Sequence, residues 1–397
     1  MENKFILKLL SRNQSFLSSD YKLHHINISK KLNNKRIIIL GGAGSIGSAV
    51  VKEILNFSPA NLHIVDINEN NLVELIRNIR ATKGYTDFEI KTYVLDIGQN
   101  EFKAMVKQNK GYDIWMNFVA LKHVRSEKDA FTLMHMVNTN IVNLKKTLDI
   151  AIKTNAKKYF SVSSDKAADP VNFMGATKAL MEMVLKYYSK YLNTSSARFG
   201  NVAFSEGSIL DNTKKRLEYK QPIVSPLDIK RYFITPNEAA RISILAALFI
   251  SKGNTFIPIL NKKSFLKSFL VIIRKYVDCK GYKLKIITNE KEARNNVNYF
   301  IKKKQWPCFV FNTNTSGEKK EEIFIGNNEK IIKTKFKQLD MIKINTFNEK
   351  DLTKLFLNLK NLKKKQSWEI EDIKIIFEKF LPNFKHYDLG KNLDNSM

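Results

Sequence analysis

The hydrophobic pattern from residue 35 to about residue 260 alternates short apolar runs with longer amphipathic stretches. The runs are apolar on both faces and mostly rich in β-branched or aromatic residues, which is typical of parallel strands covered by helices. They predict strands over Arg36–Leu40, Leu62–Val65, Thr92–Leu95, Ile114–Val119, Tyr159–Val162, Ser196–Phe199 and Phe256–Ile259. The stretches between them predict helices over Ser48–Leu55, Asn71–Arg80, Leu144–Thr154 and Thr177–Tyr191. This alternation predicts an α/β fold with a doubly wound parallel sheet, the Rossmann architecture.

The pattern loosens beyond Asn261. Here it predicts a helix over Lys262–Lys275, strands over Lys283–Thr288 and Cys308–Asn312, helices over Glu349–Leu362 and Ile370–Phe380, and a loose polar tail over Leu389–Met397. The first ten residues, with their apolar cluster interrupted by Lys8, predict a short amphipathic helix. We interpret it as such a helix and not as a signal peptide, with contact to a membrane surface as the alternative.

The composition of the 397 residues is ordinary apart from a formal net charge of +29. A nucleic-acid or anionic-membrane partner is one explanation. The other, which we favour, is a general enrichment in Lys, Asn and Ile, whose codons are A/T-rich, together with a small acidic substrate. Cys279 and Cys308 lie outside any metal-type spacing, which fits a reducing cytoplasm. No apolar run reaches the length of about 20 residues that a membrane helix needs.

A glycine-rich turn follows the first predicted strand, with Gly41, Gly44 and Gly47 spaced three residues apart. Such glycines permit a tight turn, close approach of backbone to a pyrophosphate, and close helix–strand packing. The first residues of the next helix, Ser45 and Ile46, would then direct backbone N–H groups at the phosphates. The position of this motif between strand and helix predicts a dinucleotide site.

Two acidic residues lie at or near the ends of the next strands. Asp66, about 20 residues after the glycines, is placed to bind the adenosine ribose hydroxyls and would repel a 2′-phosphate, so NAD is favoured over NADP. The alternative is that Asp66 caps the following helix. Asp96 and Ile97 end the third predicted strand, where the adenine ring would lie.

The fifth predicted strand leads into a hydroxyl, a carboxylate and an amine, supplied by Ser164, Asp165 and Lys166. In an open α/β sheet, ligands bind at the carboxyl ends of the strands. Met174 and Lys178 follow, one helical turn apart and therefore on one helix face. The alternatives are that Asp165 is a turn residue before Pro170 and that Lys166 is a solvated loop charge.

These segments resemble the short-chain dehydrogenase/reductase superfamily, and more narrowly its polysaccharide-biosynthesis branch of UDP-N-acetylglucosamine 4,6-dehydratases. The matching segments are the glycine turn, Ala120–Val124, Thr139–Asn140, Ser164–Ala167, Met174–Lys178, Arg198–Val202, Gly207–Ser208, Arg231–Phe233 and, more weakly, Gly317–Lys319. Order and spacing agree over about residues 36–260. The resemblance implies a lyase that binds NAD and a nucleotide diphosphate sugar, forms a homo-oligomer and serves polysaccharide biosynthesis.

The resemblance also implies an organisation in three parts. We expect an N-terminal extension over residues 1–34 and an NAD-binding Rossmann domain over residues 35–260 that includes part of the substrate site. A smaller C-terminal α/β region over residues 261–397 would complete the substrate side and carry the tail.

The same resemblance implies roles for individual residues. Lys166 would be the base at C5 of the sugar, Asp165 the acid for the C6 hydroxyl, and Ser164 the partner of the C4 oxygen. Lys178 would hold the nicotinamide ribose, and Ala120 would also contact the cofactor. A base needs a neutral amine, so we expect the pKa of Lys166 to be depressed by the charges of the nicotinamide cation and Lys178, helped by burial. Substrate contacts are implied at Lys122, Asn201, Ser208 and Arg231.

Several positions depart from the family pattern. Met174 stands where most of the superfamily has the catalytic Tyr, and a thioether has no usable acid–base chemistry. Ser164 stands for the usual Thr, Asn143 for Gly, and Thr315–Ser316 for Arg-Pro. The resembling branch includes active members with Met, so we expect an active dehydratase. The alternatives are a nucleotide-sugar 4-epimerase, which Met174 disfavours, and a catalytically silent NAD-binding protein. No cluster has metal-site spacing, and neither a metal nor a nucleic-acid partner is expected.

Overall fold

A nine-stranded sheet forms the centre of the computed structural model, which describes residues 2–249, 251–313, 319–384 and 386. The strands of the chain are β1 (Arg36–Leu40), β2 (Asn61–Asp66), β3 (Glu89–Val94), β4 (Ile114–Asn117), β5 (Lys158–Val162), β6 (Asn193–Ala197), β7 (Asn201–Val202), β8 (Ile223–Pro226), β9 (Lys230–Ile234), β10 (Thr255–Pro258), β11 (Leu266–Ser268), β12 (Lys283–Ile287), β13 (Gln305–Phe311), β14 (Lys330–Ile332) and β15 (Leu339–Lys343). The central sheet has the order β14-β15-β10-β6-β5-β4-β1-β2-β3.

Six of these strands have the order 3-2-1-4-5-6 of the doubly wound dinucleotide-binding fold. Strands β1 to β6 and β10 are parallel, whereas β15 pairs antiparallel with β10 and with β14. The predicted fold class is therefore confirmed. Two three-stranded sheets, β11-β9-β7 and β12-β13-β8, lie outside the central sheet.

The described residues form seventeen α-helices, some of which cover the central sheet on both faces, as buried parallel strands require. They are α1 (Asn3–Leu9), α2 (Ser18–Leu23), α3 (His25–Leu32), α4 (Ser45–Ile54), α5 (Glu69–Lys83), α6 (Asn100–Gln108), α7 (Ala130–Val137), α8 (Asn143–Lys153), α9 (Phe173–Tyr188), α10 (Ile209–Glu218), α11 (Pro236–Leu248), α12 (Lys262–Phe265), α13 (Phe269–Cys279), α14 (Glu290–Asn295), α15 (Val297–Lys302), α16 (Glu349–Lys364) and α17 (Ile370–Glu378). Helices α3, α4, α5 and α11 contribute to one core layer, and α6 to α9, α16 and α17 to the other.

The predicted helix Lys262–Lys275 is wrong as a single element. The chain forms α12, then the short strand β11, then α13. Leu266–Ser268 leaves the helical path because it pairs antiparallel with Lys230–Tyr232 of β9. A tertiary pairing therefore overrides a local helical pattern.

The N-terminal residues are packed into the rest of the protein. Ile6 and Leu9 of α1, with Leu10 directly after it, are buried in the same core cluster as residues of α13. The Arg12 guanidinium donates to both carboxylate oxygens of Glu238 on α11, at 2.8 and 2.9 Å. The apolar residues of the first helix therefore face protein. Among the described residues, no helix has the length and apolar composition needed to cross a bilayer.

Residues on both sides of position 260 contribute to the central sheet. Strands β14 and β15 extend it beyond β10, and α16 and α17 cover one of its faces. The bounds at 34 and 260 stay a prediction, and the predicted tail lies outside the described residues.

Candidate active site

The glycine turn between β1 and α4 is closed by contacts that leave no room for a side chain at Gly41 or Gly47. A Cβ on Gly47 would lie 2.2 Å from the carbonyl oxygen of Gly41, and Gly41 itself has a φ of +68°. Gly44, the N-cap of α4, has space for a Cβ, with the Gly41 oxygen 3.5 Å away. A glycine cap has no side chain to accept the first-turn N–H groups of the helix, Ser45 and Ile46 among them. The turn therefore fits a pyrophosphate, the group that the sequence predicts here.

Asp66 at the end of β2 fixes this turn. Its Oδ2 accepts the Ala43 N–H at 2.9 Å, and its Oδ1 accepts the Asn68 N–H at 3.1 Å. The cap of α5 is Asn68, whose side chain accepts from the Asn71 N–H, so the alternative reading of Asp66 as the helix cap is wrong. The Asp66 carboxylate therefore lies beside the glycine turn, where the sequence predicts that the adenosine ribose binds.

The predicted adenine residues lie just beyond β3. Asp96 is exposed and accepts the Gly98 N–H at 2.7 Å, while the Ile97 side chain is buried in the core. Asn143, which stands where the family usually has Gly, packs its side chain against Gly98.

The segment after β4 is held by a residue that sequence reasoning did not assign to the site. Asn140 accepts from the Leu121 N–H and donates to the Leu121 carbonyl, both at 3.0 Å, and it also donates to Thr177 Oγ1. It lies in a π-helical turn, Asn138–Val142, a feature often found at functional sites. Asn140 thereby connects the predicted cofactor contact Ala120 to helix α9.

The loop after β5 brings a carboxylate and an amine together. The Ser164 hydroxyl donates to Asp165 Oδ1 at 2.9 Å, and the Ser164 oxygen accepts the Lys166 N–H. Lys166 Nζ lies 3.8 Å from Asp165 Oδ1 and 3.1 Å from Glu322 Oε1, and its side chain is 18% exposed. Lys166 is therefore a paired, largely buried cation, and the alternative of a solvated loop charge is wrong.

The second carboxylate changes the expected protonation of Lys166. Burial lowers the pKa of Lys166, but the charges of Asp165 and Glu322 together outweigh burial, so the pKa is raised. Arg231 opposes them with a smaller effect. The expected depression of this pKa is therefore wrong for the protein without ligands: Lys166 is held as an ammonium.

Helix α9 carries both Met174 and Lys178. The Met174 side chain is buried in the core, and its N–H donates to Glu127 Oε1 at 2.8 Å. The buried Lys178 Nζ donates to the carbonyl of Val162 at 3.0 Å, and burial lowers the pKa of Lys178 to about 8. A lysine with a lowered pKa loses its proton readily, so Lys178 can become neutral when a second positive charge lies next to it.

Helix α9 is held at its N-terminus by Glu127 and packs at Gly175 against the loop that contains Ser164, Asp165 and Lys166. The Glu127 carboxylate accepts the N–H groups of both Phe173 and Met174, at 3.0 and 2.8 Å. A Cβ on Gly175 would lie 2.3 Å from the Lys166 carbonyl oxygen. The glycine of the Met-Gly-Ala-Thr-Lys segment thus allows α9 to touch the loop that carries Lys166.

The predicted substrate residues have different environments. Lys122 is exposed and donates to the Glu206 carbonyl at 3.0 Å, while the Glu206 N–H donates to Ser45 Oγ at 2.9 Å. Asn201 pairs with Phe233 in the small sheet, and Ser208 caps α10 by accepting the Asp211 N–H.

Arg231 is the one of these four that acts electrostatically on Lys166. It is buried on β9, its Nη1 donates to the carbonyls of Lys230 and Lys320, and it acts electrostatically on Lys166. The structure therefore brings Arg231 near Lys166, whereas Ser208 serves as a helix cap. No group of three potential metal ligands occurs among the residues that the structure describes.

Two carboxylates of the site, Glu127 and Glu322, were missed by sequence reasoning. Glu322 follows Glu321 and Glu127 lies in a charged stretch, so nothing local marks either as buried. Glu321 pairs with Lys230 as in a β-strand, and adjacent side chains of a strand face opposite ways. A strand prediction for this segment is therefore the available signal that Glu322 faces away from Glu321, into the protein. The weaker family match at Gly317–Lys319 lies mostly outside the described residues, since Gly317 and Glu318 are not described. The departing positions Thr315 and Ser316 also lie outside them.

The sheet order, glycine turn and Ser-Asp-Lys loop followed by a Met-Gly-Ala-Thr-Lys helix define an extended short-chain dehydrogenase/reductase. Residues 37–345 match the family model described as polysaccharide biosynthesis protein, and the chain belongs to this family.

Relatives in this family differ in length. The chain is 31% identical over 266 residues to the uncharacterized membrane protein MJ1061 of Methanocaldococcus jannaschii, covering 65% of this chain and 76% of that protein. It is 30% identical over 242 residues to the capsular polysaccharide biosynthesis protein CapD of Staphylococcus aureus, covering 58% of this chain and 39% of CapD. The match therefore spans well under half of CapD.

Two further relatives have named reactions. The chain is 27% identical to the UDP-glucose 4-epimerase of Rickettsia canadensis, over 64% of this chain and 73% of that enzyme. It is 25% identical to the UDP-N-acetylglucosamine 4,6-dehydratase (inverting) of Campylobacter jejuni, over 57% of this chain and 67% of that enzyme.

Solved structures share the fold. Pen from Bacillus thuringiensis aligns with a TM-score of 0.64 at 22% identity, covering 83% of this chain and 98% of Pen. DesIV, a dTDP-glucose 4,6-dehydratase of Streptomyces venezuelae solved with NAD and TYD, aligns with a TM-score of 0.55 at 16% identity, covering 73% of this chain and 88% of DesIV.

Proposed function

We propose that this chain is an NAD-dependent nucleotide-sugar modifying enzyme of polysaccharide biosynthesis, and specifically a 4,6-dehydratase acting on UDP-N-acetylglucosamine. The observation that carries the specific reaction is the buried pair of Asp165 and Lys166 at the end of β5, an acid and a base within one loop. Removal of water across C5–C6 needs both, on neighbouring atoms of the sugar.

The glycine turn supports NAD as the cofactor, since Gly44 leaves the N-terminus of α4 open and Asp66 lies beside it. NAD, when bound, supplies the oxidation at C4 and the later return of hydride to C6. The buried Lys178 would lie beside the nicotinamide ribose of the bound cofactor. The chain's own residues must then make four proton transfers.

The first proton leaves the C4 hydroxyl. Met174 cannot take it, but Ser164 donates to Asp165 Oδ1 at 2.9 Å. The C4 hydroxyl proton therefore passes to the Ser164 oxygen while the Ser164 proton passes to Asp165. This relay leaves Asp165 protonated, which is the form it needs to act as an acid.

The second and third transfers remove water. Neutral Lys166 takes the C5 proton, and the proton on Asp165 leaves with the C6 hydroxyl as water. After hydride has reached C6, Lys166 returns its proton to C5, and the product is the 4-keto-6-deoxy sugar. Lys166 must first lose its ammonium proton to solvent. Protonation of Asp165 in the first step favours this loss, because it removes one of the two charges that raise the pKa of Lys166.

The test is to incubate the purified protein with NAD and UDP-N-acetylglucosamine and to follow the sugar nucleotide by mass spectrometry. Loss of one water supports the proposal. An isomer of unchanged mass would show a 4-epimerase, as named for the Rickettsia relative. Unchanged substrate with NAD bound would show a silent dinucleotide-binding protein.

Two variants locate the chemistry. Lys166→Ala should abolish turnover while the protein still folds and binds NAD. Lys91→Ala, which removes an exposed lysine paired with Glu89, should leave turnover unchanged. Full activity of Lys166→Ala would refute the role of this residue as base. Cytoplasmic location and a homo-oligomeric state remain predictions.

A further inference from the structure

We propose that Glu322, from the segment after the small sheets, is a positioning residue that holds Lys166 in place at the sugar site. This inference rests on the proposed function for the meaning of Lys166, but the contact itself is a property of the fold. The two residues are far apart in sequence and meet only because residues 319–329, which we name the clamp segment, pack over the loop of residues 163–170.

The clamp segment holds the loop at several points. Lys319 Nζ donates to the carbonyls of Ala168 and Asp169, at 2.8 and 2.7 Å. The Asn327 N–H donates to Asp169 Oδ2 at 2.9 Å, and Asp169 has a φ of +44°, an unusual conformation for a non-glycine residue. The loop conformation that presents Asp165 and Lys166 is thus set partly from the clamp segment.

A second anchor lies beneath the loop. The Ser163 hydroxyl donates to Glu182 Oε1, and Arg198 bridges both oxygens of Glu182 to both oxygens of Glu329. Ser163 directly precedes Ser164, so this buried ion-pair network connects the end of the clamp segment to the start of the loop that contains Asp165 and Lys166. Removal of any one charge would leave its partners buried and unpaired.

Glu322 is the member of the clamp segment that reaches a reacting group. Its side chain is 2% exposed, and Oε1 lies 3.1 Å from Lys166 Nζ. Two buried oxygens, Glu322 Oε2 and Asp165 Oδ2, have no hydrogen-bond partner among the residues that the structure describes. Buried carboxylate oxygens normally have donors, so these two atoms are placed to accept from a ligand with hydroxyl groups, such as a sugar.

The charged groups around Lys166 come from three elements. Asp165 lies on its own loop, Glu322 and Lys319 lie on the clamp segment, and Arg231 lies on β9. When Asp165 becomes protonated in the proposed reaction, Glu322 remains as the acceptor that keeps Nζ in position. Glu322 therefore acts through Lys166 and need not touch the reacting atoms.

The experiment measures the titration of Lys166 directly, by trace acetylation of the whole protein at a series of pH values and mass spectrometry of the Lys166 peptide. Only the neutral amine reacts. Glu322→Gln should move the midpoint for Lys166 to lower pH by about 1–3 units, since a nearby opposite charge is lost. Glu322→Asp keeps the charge and should give a smaller shift. This variant also keeps the test usable if Glu322→Gln is too unstable to purify.

The control is Glu321→Gln, because Glu321 is adjacent in sequence but pairs with the exposed Lys262. This variant should leave the Lys166 midpoint unchanged. An unchanged midpoint in both Glu322 variants would overturn the inference.

Turnover gives a second readout if the proposed dehydratase activity is present. In Glu322→Gln, kcat should fall, and the acidic limb of the pH–rate profile should move to lower pH with the Lys166 midpoint. A loss of stability with an unmoved pH profile would show a merely structural role and overturn the inference. If the wild-type protein lacks dehydratase activity, the acetylation result still stands, so the two proposals can fail separately.

Discussion

Gly175 on α9 lies against the carbonyl of Lys166, so closely that a Cβ at this position would be 2.3 Å from that oxygen. This contact joins the helix that carries Met174 and Lys178 to the loop that carries the proposed acid and base. Adding a methyl group must push the two apart, since backbone lies on both sides of the contact.

Gly175→Ala should therefore lower both stability, by about 1–3 kcal/mol, and turnover. Helix propensity alone predicts the opposite sign, because Ala is the better helix former by about 1 kcal/mol. The measurements are urea denaturation and turnover of the sugar nucleotide. The matched control is Ala179→Gly, a half-buried position on the same helix, which should lose about 1 kcal/mol without losing turnover per folded molecule. A Gly175→Ala protein as stable and active as wild type would contradict the contact.

Several strands of the central sheet could be predicted because they are apolar runs such as Arg36–Leu40, largely buried on both faces. That property is absent from β14 and β15, which carry Lys330, Asp340 and Lys343 and join the sheet at its antiparallel edge. Strand β15 forms because β10 offers it a pairing edge, and β14 pairs in turn with β15, which no local pattern reveals.

The candidate site divides in the same way. Asp165, Lys166 and Lys178 could be identified because they are close in sequence and follow one strand. Glu322 could not, because its contact with Lys166 joins segments more than 150 residues apart. The pKa of Lys166 is raised by Asp165 and by this contact with Glu322 together, opposite to the predicted depression, and the part due to Glu322 could not be seen in the sequence.

Gly44 and Gly47 should respond differently to the same added methyl group. Gly47→Ala places a Cβ 2.2 Å from the Gly41 oxygen and must distort the turn, at a cost of about 1–3 kcal/mol in stability. Gly44→Ala has room within the protein, so it should unfold like wild type. Its methyl group would instead obstruct the approach of backbone to a pyrophosphate.

The measurements for this pair are urea denaturation and NAD binding by calorimetry. We expect Gly44→Ala to weaken NAD binding by about tenfold or more, which corresponds to at least about 1.4 kcal/mol. Unchanged affinity in a folded Gly44→Ala protein would place the cofactor phosphates elsewhere.

Glu127 should contribute to activity through the position of α9. Its carboxylate accepts the N–H groups of Phe173 and Met174, and a negative charge at a helix N-terminus is favourable. Glu127→Ala should cost about 1–2 kcal/mol in stability and also reduce kcat, because the helix that carries Lys178 is released. Thermal unfolding and turnover measure the two effects.

The control for Glu127 is Asn68→Ala, which removes a comparable cap from α5, on the opposite side of the sheet. This variant should lose similar stability with unchanged kcat. Equal losses of kcat in both variants would show that α9 has no special role.

Lys178 should make stability depend on pH. Burial lowers its folded-state pKa to about 8, whereas an unfolded lysine has a pKa of about 10.4. Below pH 8 both states hold the proton, and the folded state bears the cost of a buried charge. Between these two values the unfolded state binds more protons, so stability rises with pH.

Lys178→Met removes this dependence while keeping a side chain of similar length. Relative to this variant, the wild-type protein without cofactor should gain stability on the order of 3 kcal/mol between pH 7 and pH 10. Urea denaturation at stepped pH measures the difference, and Lys360→Met, which alters an exposed lysine on α16, should follow the wild-type curve. Other titrating groups are common to all three proteins and cancel in the comparison. Parallel curves for wild type and Lys178→Met would mean that Lys178 is not buried as a titrating amine, and its proposed place beside the cofactor ribose would lose its physical basis.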